Sequence, residues 1–134
     1  MGKAGAVEAA GITLDAGALV ALERGQGRMI ALLAESMKQN RQFHVPAGVL
    51  GQTWRDGRRQ AILARFLRTE EVTVVPLDGA MARAAGELCG RSGSSDVIDA
   101  SVVLTARQCG DVLVVTSDVR DLRRLDPKAR FVSV

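Results

Sequence analysis

The chain has 134 residues, a formal net charge of +3, and 47% apolar but only 3% aromatic residues. That length suits one domain with an aliphatic core and needs no staple, and no run approaches the ~20 apolar residues that cross a bilayer. A cytoplasmic protein without a membrane partner is expected, and the mild positive excess is compatible with a polyanionic ligand without identifying one.

Residues 1–10 are rich in Ala and Gly and lack an apolar signal-peptide core, so a flexible N-terminus is expected there and one domain over 11–134. Gly11 to Asp15 is a short β-like run that ends on an acid, and Ala16 to Arg24 is helical until Gly25 breaks it. Gln26 to Gln39 carries Met29, Ile30, Leu32, Leu33 and Met37 at helical period. Phe43 to Pro46 is a second strand, and Ala47 to Trp54 a short helix interrupted by Asp56-Gly57. Arg58 to Leu67 is expected to be a further amphipathic helix.

Val72 to Pro76 is a β-branched strand, and Asp78 starts a helix that runs to about Cys89. Arg91 to Ser95 is a Ser/Gly loop, followed by a helix from Asp96 to Gln108 that Gly110 stops. Val112 to Thr116 is a continuous apolar strand of the kind covered on both faces. Asp118 to Leu125 is a short helix, and Phe131 to Val134 the last strand. This alternation predicts an α/β fold with a mostly parallel sheet and helices on both faces.

In open α/β sheets, ligands bind beyond the carboxyl ends of the strands. Asp15 and Asp118 fall at such ends. Asp96 and Asp99 share one face of a helix start through their i, i+3 spacing, as do Asp118 and Asp121. Carboxylates drawn from separate segments suit Mg²⁺, a hard cation that takes oxygen ligands, activates water and offsets charge building on a phosphodiester. Asp96, Asp99 and Asp118 read equally well as helix caps. Asp15 is harder to dismiss, because an acid directly after an apolar strand is costly unless paired or exposed.

The two cysteines, Cys89 and Cys109, have no CxxC or Cys/His ligand spacing, and His44 is the lone histidine. Buried, reduced thiols are expected, zinc chemistry is not, and His44 reads as a structural strand-end residue. Arg55, Arg58 and Arg59 cluster beside Trp54, with Arg65 and Arg68 one and two turns on. They form either an RNA contact with Trp54 stacking on a base, a solvated helix face with Trp54 packed beneath it, or a partner surface.

Four segments resemble the PIN domain family. Leu14-Asp15-Ala16-Gly17-Ala18-Leu19 is similar to its LDTxxL opening, and Val45-Pro46-Ala47-Gly48-Val49-Leu50 to its VPxxVLxE segment. Asp99 to Ala106 resembles its DALIAATA helix, and Val115-Thr116-Ser117-Asp118-Val119-Arg120-Asp121-Leu122 its VTxDxxDF turn. The segments occur in family order and span roughly residues 11 to 126.

The resemblance implies a three-layer α/β/α sandwich and Mg²⁺- or Mn²⁺-dependent endoribonuclease activity of the VapC toxin type. It also implies a VapB-type antitoxin, an RNA substrate and a homodimer. Asp15, Asp99 and Asp118 match its acidic catalytic and metal positions, with Asp96 a further metal ligand and Asp121 a neighbouring acid. Thr116 or Ser117 is expected to orient a carboxylate or a water. Gln52 stands where the family has Glu and offers a neutral oxygen instead of a charge. That loss either passes the role to Asp96 or leaves a catalytically weak module that acts by binding antitoxin or RNA.

A receiver-type phosphotransfer domain fits poorly, since position 17 is glycine where a second acid would stand. No GxGxxG follows the first strand, which argues against a Rossmann nucleotide site.

Overall fold

The computed structural model describes residues 10–134, so the flexible end expected over 1–10 lies, but for residue 10, outside the described residues. The elements run β1 (Ile12–Leu14), α1 (Ala16–Glu23), α2 (Gly27–Lys38), β2 (Phe43–Pro46), α3 (Ala47–Thr53), α4 (Ala61–Leu67), β3 (Val72–Val75), α5 (Gly79–Ser92), α6 (Val97–Cys109), β4 (Leu113–Thr116), α7 (Val119–Leu125) and β5 (Phe131–Ser133). The strands form one sheet in the order β3-β2-β1-β4-β5, and every pairing is parallel. Parallel strands need helical crossovers, which place helices on both faces and bury the strands between them. The result is the α/β/α sandwich expected.

The central strands carry the core. Ile12, Leu14, Phe43, Val45, Val114 and Val115 are all buried, with Ala18, Leu19 and Leu22 of α1 and Ala100, Val102 and Val103 of α6 packed against them. Small residues dominate α6 where it lies on the sheet, so helix and strands approach closely. Phe43 and Phe66 meet edge to face with ring centroids 5.6 Å apart.

The strand order sets the position of the site. From β1 the chain first winds outward to β2 and β3, then returns across the sheet to β4 and β5 on the other side. The connections leaving β1 and β4 therefore diverge, and this topological switch point opens a crevice at their carboxyl ends.

Three expectations are corrected. Helix α4 begins at Ala61, not Arg58. The buried side chain of Gln60 claims the preceding turn: its Oε1 accepts from the Arg55 and Asp56 amides at 2.8 and 3.0 Å, and its Nε2 donates to the Thr53 carbonyl and to Glu23. Helix α5 continues through Arg91 and Ser92, and Gly93 ends it in the left-handed conformation, so the loop is only residues 93–96. Cys109 is exposed, because it lies in the last turn of α6 beyond the sheet; Cys89 is buried as expected, and both thiols are free. Among the described residues, no helix is long and apolar enough to cross a membrane.

Candidate active site of clustered carboxylates

Asp15 directly follows β1 and caps α1, its Oδ1 accepting the Ala18 amide at 3.0 Å. Its Oδ2 accepts the hydroxyl proton of Thr116, the last residue of β4. Both side chains are buried, Asp15 at 6% exposure and Thr116 at 0%. The Thr116 oxygen also accepts the Asp118 amide at 2.8 Å. Thr116 therefore ties the two strand ends together, and Ser117 remains exposed beside it. Gly17 admits Ser117: a Cβ at position 17 would stand 1.9 Å from Ser117 Oγ and 2.8 Å from its backbone nitrogen.

The other acids arrive on helix starts. Asp96 caps α6 by accepting the Asp99 amide at 2.9 Å, and Asp118 caps α7 by accepting the Asp121 amide at 3.3 Å. The capping reading is thus correct for Asp96 and Asp118, and also for Asp15. Capping uses one oxygen of each carboxylate; the second of Asp96 has no hydrogen bond among the described residues, and the Asp118 carboxylate also meets that of Asp121. Asp99 does not cap; it stands in the first turn of α6 and is half-buried.

Electrostatics shows that the acids converge. Burial, then the charges of Asp96, Asp15, Asp118 and Asp121, push the Asp99 carboxyl from 3.8 up to about 7. Burial also raises Asp15, against the hydrogen bonds from Thr116, Ala18 and Gly17, with Asp118 adding to the rise. Asp121 is raised by its hydrogen-bonded contact with Asp118 and by that residue's charge. Five carboxylates from the ends of β1 and β4 and the starts of α6 and α7 share one field. Their oxygens are spread: among the described residues, no three of these acids place ligand oxygens within 4.8 Å of one another.

The donor set suits a hydrated hard cation. Mg²⁺ keeps several waters and takes only one or two carboxylates directly, so spaced oxygens reach it through its water shell. Soft ligands are absent from this cluster, and the repulsion that adds to burial in raising Asp99 is what a divalent charge would relieve.

Gln52 is exposed on α3, one turn beyond Gly48, whose Cα abuts Ile98 of α6. Among the described residues no hydrogen bond fixes its amide or holds it to any acid. The basic cluster is not a helix face with Trp54 packed beneath it. Trp54 is 38% exposed, and its indole edge lies over Gly57. Arg55 donates to the carbonyls of Gly51 and Trp54, closing α3. Arg58 and Arg59 lie in the exposed turn around Asp56, which accepts the Arg58 amide at 3.0 Å.

Asp111, which no motif in the sequence singles out, lies at the other end of the strands. His44 is not alone: its Nδ1 donates to Asp111 Oδ2 at 2.7 Å, an oxygen that also accepts the Thr13 hydroxyl at 2.6 Å. No spacing rule joins residues 44 and 111, because only the sheet sets β2 and the segment entering β4 on either side of β1, across which the two side chains meet.

A PIN domain family profile matches residues 12–128. No curated protein matches the chain in sequence. Among solved structures, it is similar to VapC20 of Mycobacterium tuberculosis, a sarcin-ricin loop cleaving toxin, at 21% identity and a TM-score of 0.64, covering 78% of this chain and 87% of that one. It is also similar to VapBC2 of Rickettsia felis, solved bound to a DNA fragment from its promoter, at 16% identity and a TM-score of 0.66, covering 91% and 97%. At these identities the structural likeness speaks for the fold.

Proposed function

Because the chain belongs to the PIN domain family, we propose that it is a divalent-metal-dependent endoribonuclease, the toxin component of a VapBC-type toxin–antitoxin pair. The observation that carries this reading is the Asp99 carboxyl, pushed up to about 7 by its own burial and by Asp96, Asp15, Asp118 and Asp121. Repelling carboxylates gathered around one buried and one half-buried acid, Asp15 and Asp99, cost stability, and such groups cluster where a site binds a cation or performs chemistry.

In this reading Asp15, Asp99 and Asp118 are the catalytic acids, and together with Asp96 they hold Mg²⁺ or Mn²⁺. The cation, when bound, would supply charge neutralisation at the phosphodiester and activation of the attacking water. Thr116 fixes the rotamer of Asp15 and the backbone of Asp118, so the ligand set is preorganised before substrate arrives. Asp96 has an oxygen with no hydrogen bond among the described residues and is the acid whose charge acts most strongly on Asp99, which supports its taking the role that Gln52 leaves. Asp121 and Ser117 support the site from its rim.

The exposed Arg58 and Arg59 and the exposed face of Trp54 are the proposed RNA contacts, with Arg55 free to reach a phosphate only by releasing the α3 carbonyls. A VapB-type antitoxin and a homodimer complete the proposed assembly in the cytoplasm; the likeness to a VapBC complex supports the former. Gln52 favours a second reading, a weak nuclease that acts mainly by binding antitoxin or RNA.

The test is RNA cleavage by the purified chain in Mg²⁺ or Mn²⁺, with chelator and Asp99→Asn as controls. Cleavage abolished by both supports the proposal. Cleavage that survives Asp99→Asn overturns the assigned site, and RNA binding without cleavage in either metal moves the reading to the binding module.

A further inference from the structure

His44, Cys109 and Asp111 each present a ligand atom within 4.8 Å of the other two. They stand where α6 ends and β4 is about to begin, at the amino edge of the sheet and opposite the carboxylate cluster. Gly110 makes the turn between them in the left-handed conformation, at φ 67°, and so brings Cys109 and Asp111 onto the same side of the sheet edge as His44.

Asp111 is the informative member. Its side chain is 0% exposed. Oδ2 accepts from both Thr13 and His44, whereas Oδ1 is buried with no hydrogen-bond partner among the described residues. Buried carboxylate oxygens without a partner are rare, since desolvation is then uncompensated. Lys128 and Arg130 line the cavity beside Asp111, but neither bonds to Oδ1.

Gly11 is shaped to the same cluster. A Cβ there would lie 2.5 Å from Asp111 Oδ1, 2.9 Å from the Gln42 carbonyl and 3.0 Å from His44 Cε1. Only a glycine lets the carboxylate and the imidazole approach the backbone this closely. The site also lies at the carboxyl end of α6, where the helix dipole favours positive charge.

We infer that His44, Cys109 and Asp111 form a second metal site, distinct from the acidic cluster, that takes a Zn²⁺-class cation through one nitrogen, one sulfur and one oxygen. The donor set selects this class: thiolate and imidazole prefer zinc and cobalt to magnesium. Tetrahedral bonds of about 2.0–2.3 Å put ligand atoms roughly 3.3–3.8 Å apart. Separations of up to 4.8 Å have to close by as much as about 1 Å, and the 2.7 Å approach of Nδ1 to Oδ2 has to open by about half that; rotation of the exposed Cys109 and the partly exposed His44 can provide both. With Asp111 as a direct ligand, the nitrogen beside it, Nδ1, would take the cation in place of its hydrogen bond to Oδ2, and the ring proton would then sit on Nε2. Binding exchanges the Cys109 thiol proton, released to solvent, for the cation. The site would pin the end of α6 to β1 and β2, and α6 carries Asp99 at its other end.

The test is a Co²⁺ titration of the full chain under reducing conditions in excess Mg²⁺, which saturates the hard-oxygen site. A thiolate-to-cobalt charge-transfer band is expected, displaced by Zn²⁺, lost in Cys109→Ser and requiring at least about tenfold more metal in His44→Gln. Zn²⁺ should also raise the melting temperature of the wild type but not of Cys109→Ser. Cys109→Ser is an exposed, near-isosteric change, so its fold is retained and circular dichroism verifies this. No charge-transfer band, or a band that persists in Cys109→Ser, overturns the site.

Discussion

The Thr116 hydroxyl donates to Asp15 Oδ2 across the junction of β1 and β4 and accepts the Asp118 amide at 2.8 Å. One oxygen atom thereby sets the positions of two acids 103 residues apart in sequence, Asp15 and Asp118. Replacing Thr116 with Val keeps the shape but leaves a buried carboxylate oxygen without its donor. Thr116→Val is expected to cost about 1–3 kcal/mol in urea unfolding, and to lower RNA cleavage more than this stability loss explains. Cleavage at the wild-type rate would show that Asp15 needs no such positioning.

Asp99 predicts a pH dependence with a definite sign. Its folded value of about 7 lies above the ordinary 3.8, so the native state holds a proton that the unfolded state releases in between. Stability of the metal-free protein should therefore be fully supported below the lower value and fall as pH rises through that interval. Asp99→Asn should flatten the fall, and Mg²⁺ should restore stability at neutral pH in the wild type but less in the variant. Thermal melts in chelator across this range measure all three.

Gln52→Glu adds a charge toward the acidic cluster. With a bound cation, Mg²⁺ affinity should rise by about 1 kcal/mol, roughly fivefold, while the metal-free protein loses stability. Isothermal titration reads the first effect and urea unfolding the second. Unchanged affinity would place Gln52 outside the reach of the metal.

Gly17→Ala forces a Cβ to 1.9 Å from Ser117 Oγ and 2.8 Å from the Ser117 amide nitrogen. The hydroxyl can rotate away, but the backbone cannot. A loss of about 1–3 kcal/mol is expected, with Mg²⁺-dependent cleavage reduced because Ser117 lies between Thr116 and Asp118. Equilibrium unfolding and an RNA cleavage assay check the pair.

Gln60→Ala removes four hydrogen bonds made by one buried amide, to the backbone of Thr53, Arg55 and Asp56 and to Glu23. A loss of about 2–4 kcal/mol is expected from the groups left unpaired. Hydrogen exchange should show faster exchange at the Arg55 and Asp56 amides while the central strands stay protected.

Local chemistry wrote most of the framework. Hydrophobic period marked the strands and helices, and the acids at positions 15, 96 and 118 follow capping rules that need only neighbours three residues away. Their order, with glycine and proline between, left few topologies besides a parallel sheet with helices on both faces. What no local rule carries is contact between distant segments. Gln60 falls inside the helix expected over Arg58 to Leu67, whereas its amide fills the turn before Ala61. Arg91 and Ser92 looked like loop because Gly93 and the serines follow them, although the helix closes only at the glycine. Cys109 looked buried because its neighbours Val103 and Ala106 are apolar, yet the sheet ends before that turn.

The amino-acid order alone determined where the chain turns, which faces are apolar, and that acids stand at strand ends and helix starts, because those depend on bonds and periods spanning a few residues. Tertiary structure decided which acids feel one another, that Thr116 reaches Asp15, and that His44 meets Asp111. Through-space charge and hydrogen bonding depend on strand order and register, which arise only when the whole sheet is assembled.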